Sequence, residues 1–341
     1  MQWPALLPQL PSEPIRGMSP QVIPRLVASI CIGICAAVVT DMLPQAITIQ
    51  GVAIGDIGPP LVGLQRALHG DSPYDILLRS GPLALYPFTT MLVLAPFLLL
   101  PITAVAPVFC GVSSSVLSWA LLTGGHWWRL MAFLSVPYLM ALYSVQWSPL
   151  FLAALLLPPL LPIALVKPQL GIALLAAGKW NRWSLVATSA ILLLSLILRP
   201  TWPIEWIQSG VTRFYDSRVP LLIAPGLLLA AAVFFVRSAR GRLVLTMALI
   251  PQRFYYDQLL LFFIPTSWRQ MVFLLVISWT GAAWSLHTGA WNPASGYQID
   301  AVWRVVVWTL YLPALAILAH EWWTTVRGRK ALHDAAESIG D

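Results

Sequence analysis

The sequence predicts an all-α, polytopic integral membrane protein with about 10–12 transmembrane helices. Three observations lead there. First, 58% of the 341 residues are hydrophobic and only 10% are charged, with a mean hydropathy of +0.77. Soluble domains carry about 25% charged residues. No soluble core can hide this much apolar surface, so the solvent must be lipid. Second, there are 29 prolines and 17 tryptophans. Proline is tolerated in membrane helices because neighbouring helices re-satisfy the backbone, and tryptophan favours the membrane–water interface. Third, lysine and arginine fall mostly on one side of the resulting topology.

Twelve apolar segments can be drawn: 23–44, 86–100, 102–122, 128–144, 148–165, 169–178, 184–198, 219–236, 243–251, 256–267, 270–288 and 303–321. A full span needs about 20 residues. Segments 169–178 and 243–251 are too short to span alone. Broken or re-entrant helices are allowed where protein or a watery cavity lines them.

Putting the N-terminus inside places Arg16, Arg25, Lys179, Arg182, Arg237, Arg240, Arg242, Arg269, Arg327, Arg329 and Lys330 inside, as the positive-inside bias requires. A minority of cations then lies outside: Arg66, Arg79, Lys167, Arg199, Arg213, Arg218 and Arg253. These need another reason, such as an anionic ligand. The organisation is a cytoplasmic segment over 1–22, a transmembrane domain over 23–321 and a cytoplasmic tail over 322–341. Two long outer loops cover 44–85 and 199–220. The first stretch lacks a charged n-region, apolar h-region and cleavage site, so the first span is expected to remain as an anchor.

The net charge of +7 would suggest nucleic acid in a soluble chain. Here no basic run or RNA-binding motif supports that partner. Cys31, Cys35 and Cys110 lie in apolar segments and read as small lipid- or core-facing residues. The five histidines have no metal-ligand spacing, and no GxSxG, Walker A, GxGxxG or HExxH motif occurs.

Chemistry-bearing residues concentrate in four places. The first loop carries Asp56, Asp71 and Asp75, with Tyr74 in "GDSPYD" and a short amphipathic helix in "PPLVGLQRALHG". A carboxylate at a membrane surface can act as a general base; each can equally be a solvated loop residue. Lys167 sits in "VKPQL", where proline breaks the helix. It is either a snorkelling lysine or a point charge for a phosphate. In "PQRFYYDQLLLFF", Arg253 and Asp257 share a face if helical. They form either a mutual ion pair or a phosphate arginine with an acid that orients it. The second loop offers Arg213, Tyr215, Asp216 and Arg218 for a sugar or phosphate, and Trp202 and Trp206 for stacking or interfacial anchoring.

In order, Asp56, "LQRALHGDSPYD" ending at Asp75, "YPF" at 86–88, "LAPFLLLP" at 94–101, "QWSPLF" at 146–151, "VKPQ" at 166–169 and "PQRFYYDQLLL" at 251–261 resemble the motifs of the membrane glycosyltransferases of family 87. The family's second proline after Tyr-Pro is Phe88 here, and Pro149 stands for the asparagine of its Gln-x-Asn segment. The resemblance covers about residues 50–265. It implies a GT-C-like fold and sugar transfer, usually of mannose, from a polyprenyl-phosphate donor to a lipid or glycan acceptor. The site would face outward from the bacterial inner membrane. It implies Asp56 as the catalytic base and Lys167 at the donor phosphate; the residues themselves add Arg253, Arg213 and Arg218 as further candidates for the phosphate. Gln169, Tyr256, Asp257, Tyr74 and Trp206 would support them. An inverting displacement of this kind requires no metal or cofactor. Two other classes stay open: a transporter or flippase of a lipid-linked or anionic substrate, whose broken helices would look similar, and a non-catalytic envelope-assembly protein.

Overall fold

A computed structural model describes residues 22–43, 48–49, 52–74, 77–78, 81–82, 86–209, 217–253, 255–292 and 296–340. Most of the N-terminal segment, Asp75, Arg79, Arg213, Tyr215 and Asp216 lie outside the described residues.

The described chain is helical. Its extended pairs are two-residue antiparallel ladders, Thr48–Ile49 with Val52–Ala53, Leu77–Leu78 with Gly81–Pro82, and Trp291–Asn292 with Gly296–Tyr297. The α-helices, in chain order, are α1 Val22–Met42, α2 Gly58–Leu68, α3 Phe88–Leu94, α4 Ile102–Leu121, α5 Val136–Tyr143, α6 Ser148–Leu156 and α7 Pro168–Ala177. There follow α8 Arg182–Leu198, α9 Trp202–Ser209, α10 Ala239–Leu249, α11 Trp268–His287, α12 Ile299–Val306 and α13 Leu312–Gly340.

Among the described residues, three helical stretches are long and apolar enough to cross a membrane: Val22–Met42, Ile102–Leu121 and Ile299–Val326. A fourth arises if α8 and α9, bent by 86°, form one broken span. Several other apolar segments are divided. Segment 86–100 becomes α3 and a 3-10 stretch, Ala95–Leu99. Segment 148–165 becomes α6 and a 3-10 stretch, Pro158–Leu165, and segment 219–236 contains the 3-10 stretches Pro220–Leu222 and Gly226–Phe235. Proline explains the divisions. It removes a backbone donor and clashes with the preceding turn, and Pro96, Pro158, Pro159, Pro162, Pro220 and Pro225 stand at or inside these breaks.

The amphipathic helix expected in the first loop is α2. It buries Leu61 and Leu64 and packs on α3. The large core cluster draws on α4, α6, α7, α10 and the 257–263 stretch. Along one side α1 lies against α4, with Leu26, Ile30, Ile34 and Val38 exposed on its far side. Small residues allow the approach: Gly33 lies so close that a Cβ there would sit 2.7 Å from the Gly111 carbonyl oxygen. At one end Arg25 donates to Thr123 Oγ1 at 3.2 Å and stacks over the Trp119 ring at 4.5 Å.

This contact generates a test. Gly33→Val forces α1 off α4, because backbone cannot yield as a flexible side chain can. The expected cost is about 1–3 kcal/mol, read as a lower thermal midpoint, whereas Ile34→Val on the exposed face leaves it unchanged.

Candidate functional site

The break before α7 is built from the sequence "ALVKPQL". Pro168 occupies the first helical position, where its missing donor costs nothing, and Lys167 is left extended at φ −130° and ψ 90°. Carbonyls at the end of the preceding 3-10 stretch then need partners. Thr89 Oγ1 donates to the Leu165 carbonyl at 2.7 Å, and Thr90 Oγ1 to the Val166 carbonyl at 2.9 Å. The start of α3 thereby clamps the break and fixes where Lys167 leaves the backbone.

Lys167 is 6% exposed; it does not snorkel to a surface. Its Nζ donates to Gln146 Oε1 at 2.7 Å and lies 3.5 Å from Asp257 Oδ1. The ammonium also lies 5.0 Å from the Tyr256 ring centroid and 5.9 Å from that of Tyr86. Ring faces carry negative potential and favour a cation there. The other end of Gln146 donates from Nε2 to Asp56 Oδ2. One amide therefore joins the lysine to the first-loop carboxylate, with its oxygen on the cation and its nitrogen on the anion. Asp257 Oδ2 in turn accepts the Arg253 backbone N–H at 2.9 Å, and the side chains of Arg253 and Tyr256 are hydrogen-bonded.

Three backbone turns aim these groups, and each contains a residue in the left-handed region. Gly55 has φ +62°, Val145 +52° and Tyr255 +60°. Gly55 directly precedes Asp56, and Val145 directly precedes Gln146; Tyr255 lies between Arg253 and Asp257. The Asp56 N–H donates to the Ser144 carbonyl at 3.0 Å, so the first two turns dock on each other. A Cβ on Gly55 would stand 2.5 Å from Val145 Cγ2; that position needs glycine for both its φ and its space. A β-branched residue at positive φ is strained by about 1–3 kcal/mol, and such strain clusters at functional sites.

A buried amide layer adjoins the site. Tyr311 donates from its hydroxyl to Gln252 Oε1 at 2.7 Å, and Gln258 Nε2 donates to the same oxygen at 3.2 Å and to the Arg253 carbonyl at 3.2 Å. Tyr311 closes a short π-helical stretch, Val307–Tyr311, a local widening often found where side chains serve function.

Of the residues singled out in the sequence, Asp56, Lys167, Tyr256 and Asp257 come together, with Arg253 hydrogen-bonded to Tyr256 beside them. Arg253 and Asp257 do not share a helical face; the positive φ at Tyr255 turns the chain between them, and the carboxylate pairs with Lys167 instead. Gln169 is half-buried in the first turn of α7, and among the described residues no hydrogen bond ties it to this network. Arg218 pairs with Asp300, Nε to Oδ1, at 2.9 Å, while its backbone bridges that of Gln252. Arg213 is outside the described residues. Two members of the network carry no role in the sequence reading, Gln146 and Tyr86. Both open quoted motifs, "QWSPLF" and "YPF", but an isolated glutamine or tyrosine gives no signal until its partners are in view.

Tyr74 and Trp206 belong to a separate cluster where residues of the 44–85 and 199–220 segments meet. Tyr74 is buried with Leu64, Phe88, Met91 and Trp202, and Trp206 packs against them. Trp202 is a packing residue, donating from Nε1 to Ser195 Oγ at 3.1 Å. Arg199 Nη2 holds Glu205 Oε2 at 2.8 Å, Ser72 Oγ donates to Glu205 at 3.3 Å, and Arg199 Nη1 donates to the Asp71 carbonyl at 3.1 Å. Burial pushes the Glu205 carboxyl up, but hydrogen bonds from Arg199 and Thr201 and the Arg199 charge outweigh it, and the net shift is downward.

Compared with known proteins, the chain matches no family model, no curated protein and no solved structure.

Two measurements check this geometry. Asp257→Asn alone leaves a buried ammonium short of its carboxylate and lowers stability by about 3–5 kcal/mol. Lys167→Met combined with Asp257→Leu removes both charges and recovers most of the thermal midpoint. The loop clamp has its own pH signature. Because the folded Glu205 value is lowered, its contribution is complete above the unfolded value of about 4.3 and is lost as pH falls through the folded value. The thermal midpoint of the wild type should fall across that acidic window, and Glu205→Gln should flatten that part of the profile.

Proposed function

We propose that the protein is a membrane glycosyltransferase of GT-C-like architecture. It moves a sugar, mannose in the first instance, from a polyprenyl-phosphate donor to a lipid or glycan acceptor on the outer face of a bacterial inner membrane. The observation that carries this reading is the Asp56–Gln146–Lys167–Asp257 chain. It draws on four separated stretches of sequence, and all four belong to the motifs that resemble those of family 87. Helices able to span a membrane fit a lipid-linked donor.

The chemistry follows from the groups present. The acceptor oxygen forms a bond to the anomeric carbon while the bond from that carbon to the phosphate oxygen breaks. The acceptor proton passes to Asp56, and the electron pair leaves with the phosphate. Gln146 engages Asp56 Oδ2; among the described residues Oδ1 has no hydrogen-bond partner, so it is the oxygen available for the proton. Single-step displacement inverts the anomeric centre, and a β-linked donor gives an α-linked product. Charge grows on the departing phosphate, and fixed cations stabilise it without reorganising. Arg253 is half-buried and suits that task; Lys167, enclosed by Gln146, Asp257 and two rings, acts more through its field.

The test is sugar transfer by purified protein in lipid, with polyprenyl-phosphate-mannose and a crude lipid acceptor extract. Asp56→Asn should cut release of polyprenyl phosphate by about 10²–10⁴-fold while donor binding persists. Lys167→Ala should also reduce release. If the wild type binds donors of several sugars yet releases none, the transferase reading fails and a transporter or assembly role replaces it.

A further inference from the structure

A cavity of about 510 Å³ opens beside Arg218, and its described lining shares no residue with the Asp56–Gln146–Lys167–Asp257 chain. Its polar lining includes Arg218, Asp300 and Arg304, and its apolar wall includes Val219, Leu222 and Ile223. We infer that this cavity binds the phosphodiester headgroup of a membrane glycerophospholipid. The inference rests on the membrane setting proposed above but not on sugar transfer.

The charge fits first. Among the described residues that line it, two guanidiniums and one carboxylate leave one net positive charge, and a phosphodiester carries one negative charge. Asp300 holds Arg218 through Nε at 2.9 Å and so fixes the plane of that guanidinium. Arg304 follows Asp300 by one helical turn on α12, where side chains four apart are neighbours. It is exposed, and among the described residues its guanidinium makes no ion pair or hydrogen bond. Arg66, Lys167, Arg199 and Arg218, all on the same side of the topology, have carboxylate partners. Arg304 lines the same cavity as Arg218 and so shares its side, which the positive-inside bias disfavours; a cation there without a carboxylate needs an anion from elsewhere. Guanidiniums recognise phosphate oxygens through planar, paired donors.

The setting favours a lipid over a soluble phosphodiester. Leu222 is 80% exposed at the cavity wall. The α12 helix lies at the start of the candidate span Ile299–Val326, and it buries Val302, Trp303, Val305 and Val306 while leaving Asp300 and Arg304 on the cavity. Trp308 stands exposed just beyond, as tryptophans do near headgroup level. A phosphate at this depth has an apolar surface beside it for its chains.

The experiment titrates full-length protein with phosphatidylglycerol and counts bound lipid by native mass spectrometry. Diacylglycerol and glycerophosphoglycerol serve as the chain-only and headgroup-only probes. Arg304→Gln should weaken phosphatidylglycerol binding about tenfold, the loss of one charge-assisted contact, and Arg304→Lys should lose less. Asp300→Asn should tighten it, because a carboxylate no longer competes for Arg218. Asp56→Asn should leave it unchanged, which separates this site from the transfer chemistry. Equal binding by wild type and Arg304→Gln, or by phosphatidylglycerol and diacylglycerol, would overturn the site. Equal binding of glycerophosphoglycerol would overturn the assignment to lipid.

Discussion

An ammonium group with almost no exposure is the constraint around which the interior is arranged. Lys167 cannot be buried unless its charge and its donors are met. Meeting them requires Asp257 from the late segment and Gln146 from the turn between α5 and α6. Reaching Gln146 in turn brings the first loop to Asp56. One lysine thus ties together regions about two hundred residues apart, with the chain broken by Pro168 so that the side chain can leave the helix there.

Such a network trades stability for placement. A buried ion pair recovers its desolvation cost only with good geometry, and packed apolar residues would often do as well. The three left-handed residues point the same way. A turn free of strain would have served simple packing, yet Val145 and Tyr255 hold conformations that side chains disfavour. Their common feature is position: each lies within two residues of a member of the network. Strain and buried charge placed together mark a region shaped by the geometry of its polar groups. The proposed proton transfer from an acceptor hydroxyl would demand that kind of precision, because misplacement by an ångström weakens the hydrogen bond through which the proton moves.

Parts of this arrangement were legible in the sequence for identifiable reasons. Lys167 stands out because a cation in an apolar, proline-rich run must either snorkel to a surface or meet an anion, and its burial settles for the second. The amphipathic pattern of "PPLVGLQRAL" yields α2 because the turn residues before it and the periodicity within it agree. The division of apolar segments into short α and 3-10 pieces was less legible. Hydropathy reads composition along the chain, whereas the breaks depend on which carbonyls find partners elsewhere, as Leu165 and Val166 do on Thr89 and Thr90. Gln146 was invisible for a related reason. A glutamine in an apolar segment signifies only when a carboxylate and an ammonium sit on either side of its amide. Arg253 and Asp257 misled because four-residue spacing implies a helical face only where the backbone is helical, and Tyr255 turns it.

The same reasoning separates the cations expected on the outer side into two kinds. Arg199 and Arg66 hold loops together: one clamps Glu205, and the other donates to the Ser72 carbonyl at 3.2 Å. Their charges are spent locally, and the aromatic cluster of Tyr74 and Trp202 beneath them is packing. Arg304 is different, because among the described residues no carboxylate is ion-paired with it. Arg253 is tied to the Asp56 network through Tyr256, whereas Arg304 lies on the cavity beside Arg218. The backbone bridge between Arg218 and Gln252 joins the two regions within one residue of Arg253. A lipid phosphate bound to Arg218 would therefore hold the segment that its backbone bridges at Gln252, next to Arg253.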